Sequence, residues 1–183
     1  MEWVFIDYFK NADCPGNGCT WKNESEMNTH IDYLTNVINE LHPDIMNICE
    51  IEGCDEINAL INKTNDSYMP FLIKGTDSST GQNVGMMTRI TPNIDLYRSE
   101  IKIEYPIKDS NCNYNISGSH GVSKHYITEF TINDMKVAMI GAHFLSMPTD
   151  PQRCSEREAQ ATVIQSVIKD YIQKQYEVIF IGD

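Results

Sequence analysis

The 183 residues, 41% hydrophobic and 22% charged, have the make-up of one folded domain and not of a disordered chain. A formal net charge of −12 argues against a surface that grips nucleic acid by neutralising its phosphates. It leaves room for a phosphate at a carboxylate site screened by a divalent metal. No apolar run reaches the roughly 18 residues that a membrane-spanning helix needs, so no stable membrane insertion is expected.

The opening MEWVFIDYF lacks a basic region and a small-residue cleavage site, so it reads as a strand over residues 2–9 and not as a signal peptide. Asn23 with Glu26 three residues on predicts a helix start. Met27, Ile31, Leu34, Val37, Ile38 and Leu41 continue it at helical spacing until Pro43. DIMNICE follows as a short buried strand, Ile57, Leu60 and Ile61 mark a second helix, and YMPFLIK is a strand. Beyond the polar loop GTDSSTGQN, VGMMTRI and IDLYRSEIKIEYPI read as strand pairs. Residues 109–121, rich in Ser, Asn and Gly, read as loop. KHYITEFTINDMKVAMIGAHF holds two strands joined by Asn133 and Asp134. Ser155 and Glu158 form a capping box for a helix running to about Gln173, with Ala159, Val163, Val167, Ile168 and Tyr171 as its stripe. A buried strand, EVIFIGD, comes last. The order predicts one α/β unit with many strands.

The six cysteines, Cys14, Cys19, Cys49, Cys54, Cys112 and Cys154, allow 15 pairings. Cys14 and Cys19 lie in a Pro/Gly loop where a local bridge closes easily. No pair has zinc-site spacing. Four N-glycosylation sequons, at Asn23, Asn62, Asn65 and Asn115, join the even cysteine count in favouring a secreted or lumenal setting. A reduced intracellular enzyme stays open as the alternative.

Three apolar runs share a design: DIMNICE ends at Glu50, KVAMIGAH at His143 and EVIFIGD at Asp183. Taken singly, an acid or a histidine after a strand most often caps a turn or makes a structural hydrogen bond. Together they outline a site, because ligands of layered α/β proteins collect beyond strand C-termini. Three parallel neighbouring strands would bring them to one rim. Arg98, Lys124 and His125 are candidates for meeting a phosphate, against a plainer role as strand-pairing or surface groups. Arg153 and Arg157 stand at the start of the last helix, and Arg157 is expected to tie that helix to the preceding loop. Trp3 and Trp21 read as packing groups.

These segments carry a resemblance. DIMNICEIEG resembles the D-I-x-x-L-Q-E-V segment of the endonuclease/exonuclease/phosphatase superfamily, and VGMMTRI resembles its G-x-x-x-L-S-R strand. MIGAHFLSMPTDPQRCSEREAQATVI resembles its H-L strand and following helix start, and VIFIGD resembles the beginning of G-D-x-N. Four motifs in order span nearly the whole chain. The resemblance implies a deoxyribonuclease I-like fold, a two-sheet α/β sandwich, here incomplete at both ends. It implies Mg²⁺ (or Mn²⁺) on Glu50, water oriented or deprotonated by Asp183, and phosphate or leaving-group contact from His143. The family's first-strand Asn, closing His and the Asn after Asp183 are missing, which implies weak hydrolysis by these residues alone. It implies a phosphoester substrate: a nucleic acid, a phospholipid headgroup or a small phosphorylated molecule. The alternative is a non-catalytic binding protein on the same scaffold.

Overall fold

Asn23 does open the first helix: its side-chain oxygen accepts the Glu26 amide at 3.0 Å, and α1 runs Glu24–Leu41. His42 takes a left-handed φ of 46° ahead of Pro43, which ends the helix. The buried stripe is Met27, Ile31, Leu34 and Ile38; Leu41, expected in it, is exposed. The computed structural model describes residues 23–77 and 82–183. The expected strand over 2–9, the Cys14–Cys19 loop, Trp3 and Trp21 lie outside the described residues.

After α1 come β1 (Ile45–Ile51), α2 (Cys54–Ile61), β2 (Met69–Ile73) and β3 (Asn83–Thr88). They form an antiparallel sheet in the order β1-β3-β2. β6 (Lys124–Ile132) and β7 (Met135–His143) make a hairpin, and both turn residues, Asn133 and Asp134, have the positive φ that a tight hairpin turn demands. β8 (Glu177–Gly182) adds to β7 in parallel, giving the order β6-β7-β8. Alternation along the strands sorts three cores. Met46, Ile48 and Met87 turn outward onto α1 and α2. Ile127, Ala138 and Ile140 turn outward onto the last helix, α3 (Pro151–Gln173). Cys49, Val84, Met86, Tyr126, Phe130, Val137 and Met139 fill the space between the sheets. The result is a two-sheet sandwich with helices on both outer faces.

Gly141 allows the sheets to close. A Cβ there would lie 2.2 Å from Asn47 Oδ1 and 2.3 Å from the Tyr126 ring.

Four expectations are corrected. The segment read as strand pairs is mostly irregular: Tyr97 makes one bridge to Ile127, and β4 is only Ile103–Tyr105. Its partner, β5 (Gly118–His120), comes from the segment read as loop, where Gly118 leaves room for the Tyr105 ring. α3 starts one turn before Ser155. Asp150 accepts the Gln152 and Arg153 amides at 2.8 and 3.1 Å, and Pro151 takes the first helical position. Ser155 is buried within the helix, and Glu158 instead accepts the Asn111 amide at 3.1 Å. Finally, β8 is exposed, with Ile179, Phe180 and Ile181 at 46%, 45% and 46%, because β7 is its only strand partner among the described residues.

Cys112 and Cys154 form a disulfide that ties the loop after β4 to the first turn of α3. Cys49 and Cys54 are free.

Candidate active site

β1 carries its glutamate on an irregularity. Cys49 pairs with Val84 and Ile51 with Asn83, so Glu50 is an extra residue in the ladder, with a left-handed φ of 57°. Strict alternation would set Glu50 on the helix side with Met46 and Ile48. The bulge gives Ile51 that core place and frees the Glu50 side chain. Non-glycine residues seldom adopt this φ, and such strain concentrates at functional positions.

The other two residues come from the second sheet. On β7, Val137 and Met139 face the space between the sheets, and so, two and four residues on, do Gly141 and His143. Asp183 extends the parallel pairing of β8: its amide donates to the Ala142 carbonyl at 3.1 Å and its carbonyl accepts the Phe144 amide at 2.7 Å. His143 Nε2 then lies 3.7 Å from Glu50 Oε1 and 3.5 Å from Asp183 Oδ2. Three segments far apart in sequence meet at one imidazole. The expected arrangement of three parallel neighbours holds for β7 and β8 only; Glu50 arrives from the facing sheet.

Glu50 and His143 line a cavity of about 200 Å³ together with Lys124, Asp77, Gln82 and Arg153, among others. Lys124 Nζ stands 3.9 Å from Asp77 Oδ2. The ladder pairs Lys124 with His143, so both point to the rim. His125, the next residue, points the other way. It is 1% exposed, and its Nε2 accepts the Ser99 amide at 2.8 Å. Burial pushes its pKa down to about 4, with the nearby Arg98 guanidinium adding to the effect. His125 reaches neither this cavity nor its neighbour. Arg98 lines the neighbouring hollow, with Nη2 3.6 Å from Glu100.

Arg157 donates to the carbonyls of Leu145, Ser146, Met147 and Pro148, tying α3 to the loop after β7 as expected. Several lining residues were not singled out as site residues from sequence. Asp77, whose amide donates to Ser123 Oγ at 2.6 Å, and Gln82 lie in or beside polar loops without periodicity. Gln160 accepts the Leu145 amide and donates to the Gly121 carbonyl, fixing two loops of the rim. Its i+3 spacing from Arg157 is the one sequence signal that points there.

The donor set suits a hard, well-hydrated cation. Glu50 is a half-buried carboxylate, and the imidazole nitrogen beside it, at 3.7 Å, is beyond hydrogen-bond reach. Among the described residues no group of three or more His, Cys, Asp or Glu could hold a metal. Mg²⁺ needs only one or two carboxylates, because it retains several waters.

No family model and no curated protein matches this chain. Solved structures do. TDP2 from Caenorhabditis elegans superposes with a TM-score of 0.56 at 16% identity, over 88% of this chain and 44% of that one. Humanized TDP2 from Danio rerio gives 0.57 at 19%, over 88% and 61%. An endonuclease/exonuclease/phosphatase family protein from Leptotrichia buccalis gives 0.53 at 15%, over 89% and 62%. The fold is deoxyribonuclease I-like. The sandwich, its outer helices and the rim at the sheet ends therefore belong to an architecture shared with these proteins. The chain spans 44% to 62% of the length of these three relatives.

Proposed function

We propose that the protein is a divalent-metal-dependent phosphoester hydrolase working at the Glu50–His143–Asp183 rim. One observation carries this reading: Glu50 and Asp183, from different sheets, flank one imidazole nitrogen at 3.7 and 3.5 Å. The fold shared with TDP2 and with an endonuclease/exonuclease/phosphatase protein supports it.

In this reading Glu50 holds Mg²⁺ or Mn²⁺. When bound, the cation supplies polarisation of a phosphoryl oxygen and charge neutralisation at the leaving oxygen. Asp183, more exposed than the other two, orients the attacking water and takes its proton on a carboxylate oxygen. His143 hydrogen-bonds a non-bridging phosphate oxygen through Nε2, the nitrogen that Glu50 and Asp183 flank. Lys124 adds positive charge at the same cavity. The Cys112–Cys154 bridge and the exposure of Asn23, Asn62, Asn65 and Asn115 support a secreted or lumenal setting.

Metal binding is the direct test. Mn²⁺ titration followed by electron paramagnetic resonance should show one site, with affinity at least about tenfold weaker in Glu50→Gln, the loss expected when a ligand is removed. Hydrolysis of a generic phosphodiester should fall in the same variant. Unchanged Mn²⁺ affinity in Glu50→Gln would overturn the reading and favour a binding protein on this scaffold.

A further inference from the structure

Asn83 opens β3, the middle strand of the β1-β3-β2 sheet, and is buried. The ladder to β1 ends at Asn83 itself, opposite Ile51, and the ladder to β2 ends at Val84, opposite Ile73. Past those pairs the Asn83 side chain continues the cross-links. Its Nδ2 donates to the Glu52 carbonyl at 3.0 Å, and its Oδ1 accepts the Gly75 amide at 2.9 Å. One planar group thus ties the chain just past β1 to the chain just past β2.

The two partners select this residue type. A carbonyl only accepts and a backbone amide only donates, so they require a donor and an acceptor held side by side. Aspartate lacks the donor, and leucine would leave both partners unpaired.

The first tie holds the segment that carries Glu50. Glu52 is two residues beyond Glu50, whose φ of 57° lies on the bulge between the Cys49–Val84 and Ile51–Asn83 pairs. A glutamate keeps such a φ only where its surroundings fix the chain on both sides. Cys49 is fixed by its ladder pair on one side. On the other, Ile51 pairs with the Asn83 backbone and Glu52 is held by the Asn83 side chain. The second tie reaches the opposite loop: Gly75 leads to Asp77, which lines the same cavity as Glu50. The Asp77 amide is anchored in turn on Ser123 Oγ at 2.6 Å.

We propose that Asn83 is a positioning residue: its side-chain amide holds the Glu50 bulge in the geometry that binds the cation and keeps the Asp77 loop beside it. This assignment rests on the reading of Glu50 as the ligand of that cation.

The test is Mn²⁺ titration of the 183-residue protein, followed by electron paramagnetic resonance. Asn83→Ala should weaken Mn²⁺ binding about tenfold, the scale seen when a group that orients a metal ligand is removed. Asn83→Ser, whose hydroxyl is too short to span both partners, should weaken it too and serves if the alanine variant does not fold. Asn83→Ala added to Glu50→Gln should cost nothing further, because the carboxylate it orients is gone. Ile38→Val, a core change beneath α1, should leave the affinity unchanged. Unweakened binding in the folded Asn83 variants, full additivity with Glu50→Gln, or an equal loss in Ile38→Val would overturn the proposal. Glu50→Gln alone separates the two readings. Undiminished Mn²⁺ binding there removes the hydrolase reading and this proposal together, whereas a loss there without a loss in Asn83→Ala removes only the positioning role.

Discussion

At the scale of single residues, neighbours in sequence have opposite fates. Lys124 and His125 were both candidates for phosphate, yet a strand sends successive side chains to opposite faces, so at most one could reach a shared rim. Alternation from Tyr126 and Phe130, both in the inter-sheet core, assigns that place to Lys124. His125 instead holds the Ser99 amide from inside the protein. Its lowered pKa links stability to pH. The folded state favours the neutral imidazole, so its contribution is complete above the unfolded value near 6.5 and is lost as pH falls toward the folded value of about 4. The loss should approach about 3 kcal/mol, because each tenfold drop in proton affinity on folding is worth about 1.4 kcal/mol. Urea unfolding at pH 7 and at pH 4.5 should show it, and His125→Gln should flatten this part of the pH dependence. An unchanged slope in that variant would place the acid sensitivity elsewhere.

At the scale of elements, the legible features were those set by local chemistry. The Asn23 cap, the Asn133–Asp134 turn and the β1, β6 and β7 runs follow from caps, turn residues and apolar periodicity. Two features were hidden because tertiary contacts decide them. β5 forms in a Ser/Gly segment because β4 offers a partner and Gly118 accommodates Tyr105. The start of α3 was misplaced because S-x-x-E offered a cap one turn too late, while Asp150-Pro151 supplies a cap and a pre-set first residue. The Cys112–Cys154 pairing was equally beyond sequence, one of 15 possibilities. With a sequence separation of 42, the bridge should stabilise the fold by about 4 kcal/mol through lost unfolded-state entropy. The double variant Cys112→Ser/Cys154→Ser should lower the urea midpoint accordingly. Because Cys154 adjoins Arg153 in the wall of both hollows, affinity for inorganic phosphate should weaken with it. A midpoint shift without an affinity change would limit the bridge to a purely stabilising role.

At the scale of the whole molecule, the site depends on the sandwich more than on any single strand. The apolar runs ending in Glu50, His143 and Asp183 suggested a shared rim, but not that the first would come from the facing sheet or sit on a bulge. The same architecture explains why EVIFIGD misleads. An unbroken apolar run implies burial on both faces, yet β8 is bordered only by β7 among the described residues, and Ile179 and Ile181 are each 46% exposed. An open edge with apolar side chains is a template for association. Ile179→Lys should therefore reduce self-association of this chain at high concentration, measured by sedimentation velocity. Its stability cost should be no more than about 1 kcal/mol, since about half of the side chain's burial is absent to begin with. Substantially greater destabilisation would mean that Ile179 is packed in solution, so that the apolar run is explained by burial after all. A small cost with less association would identify β8 as an adhesive edge whose sequence is written for more cover than the described residues provide.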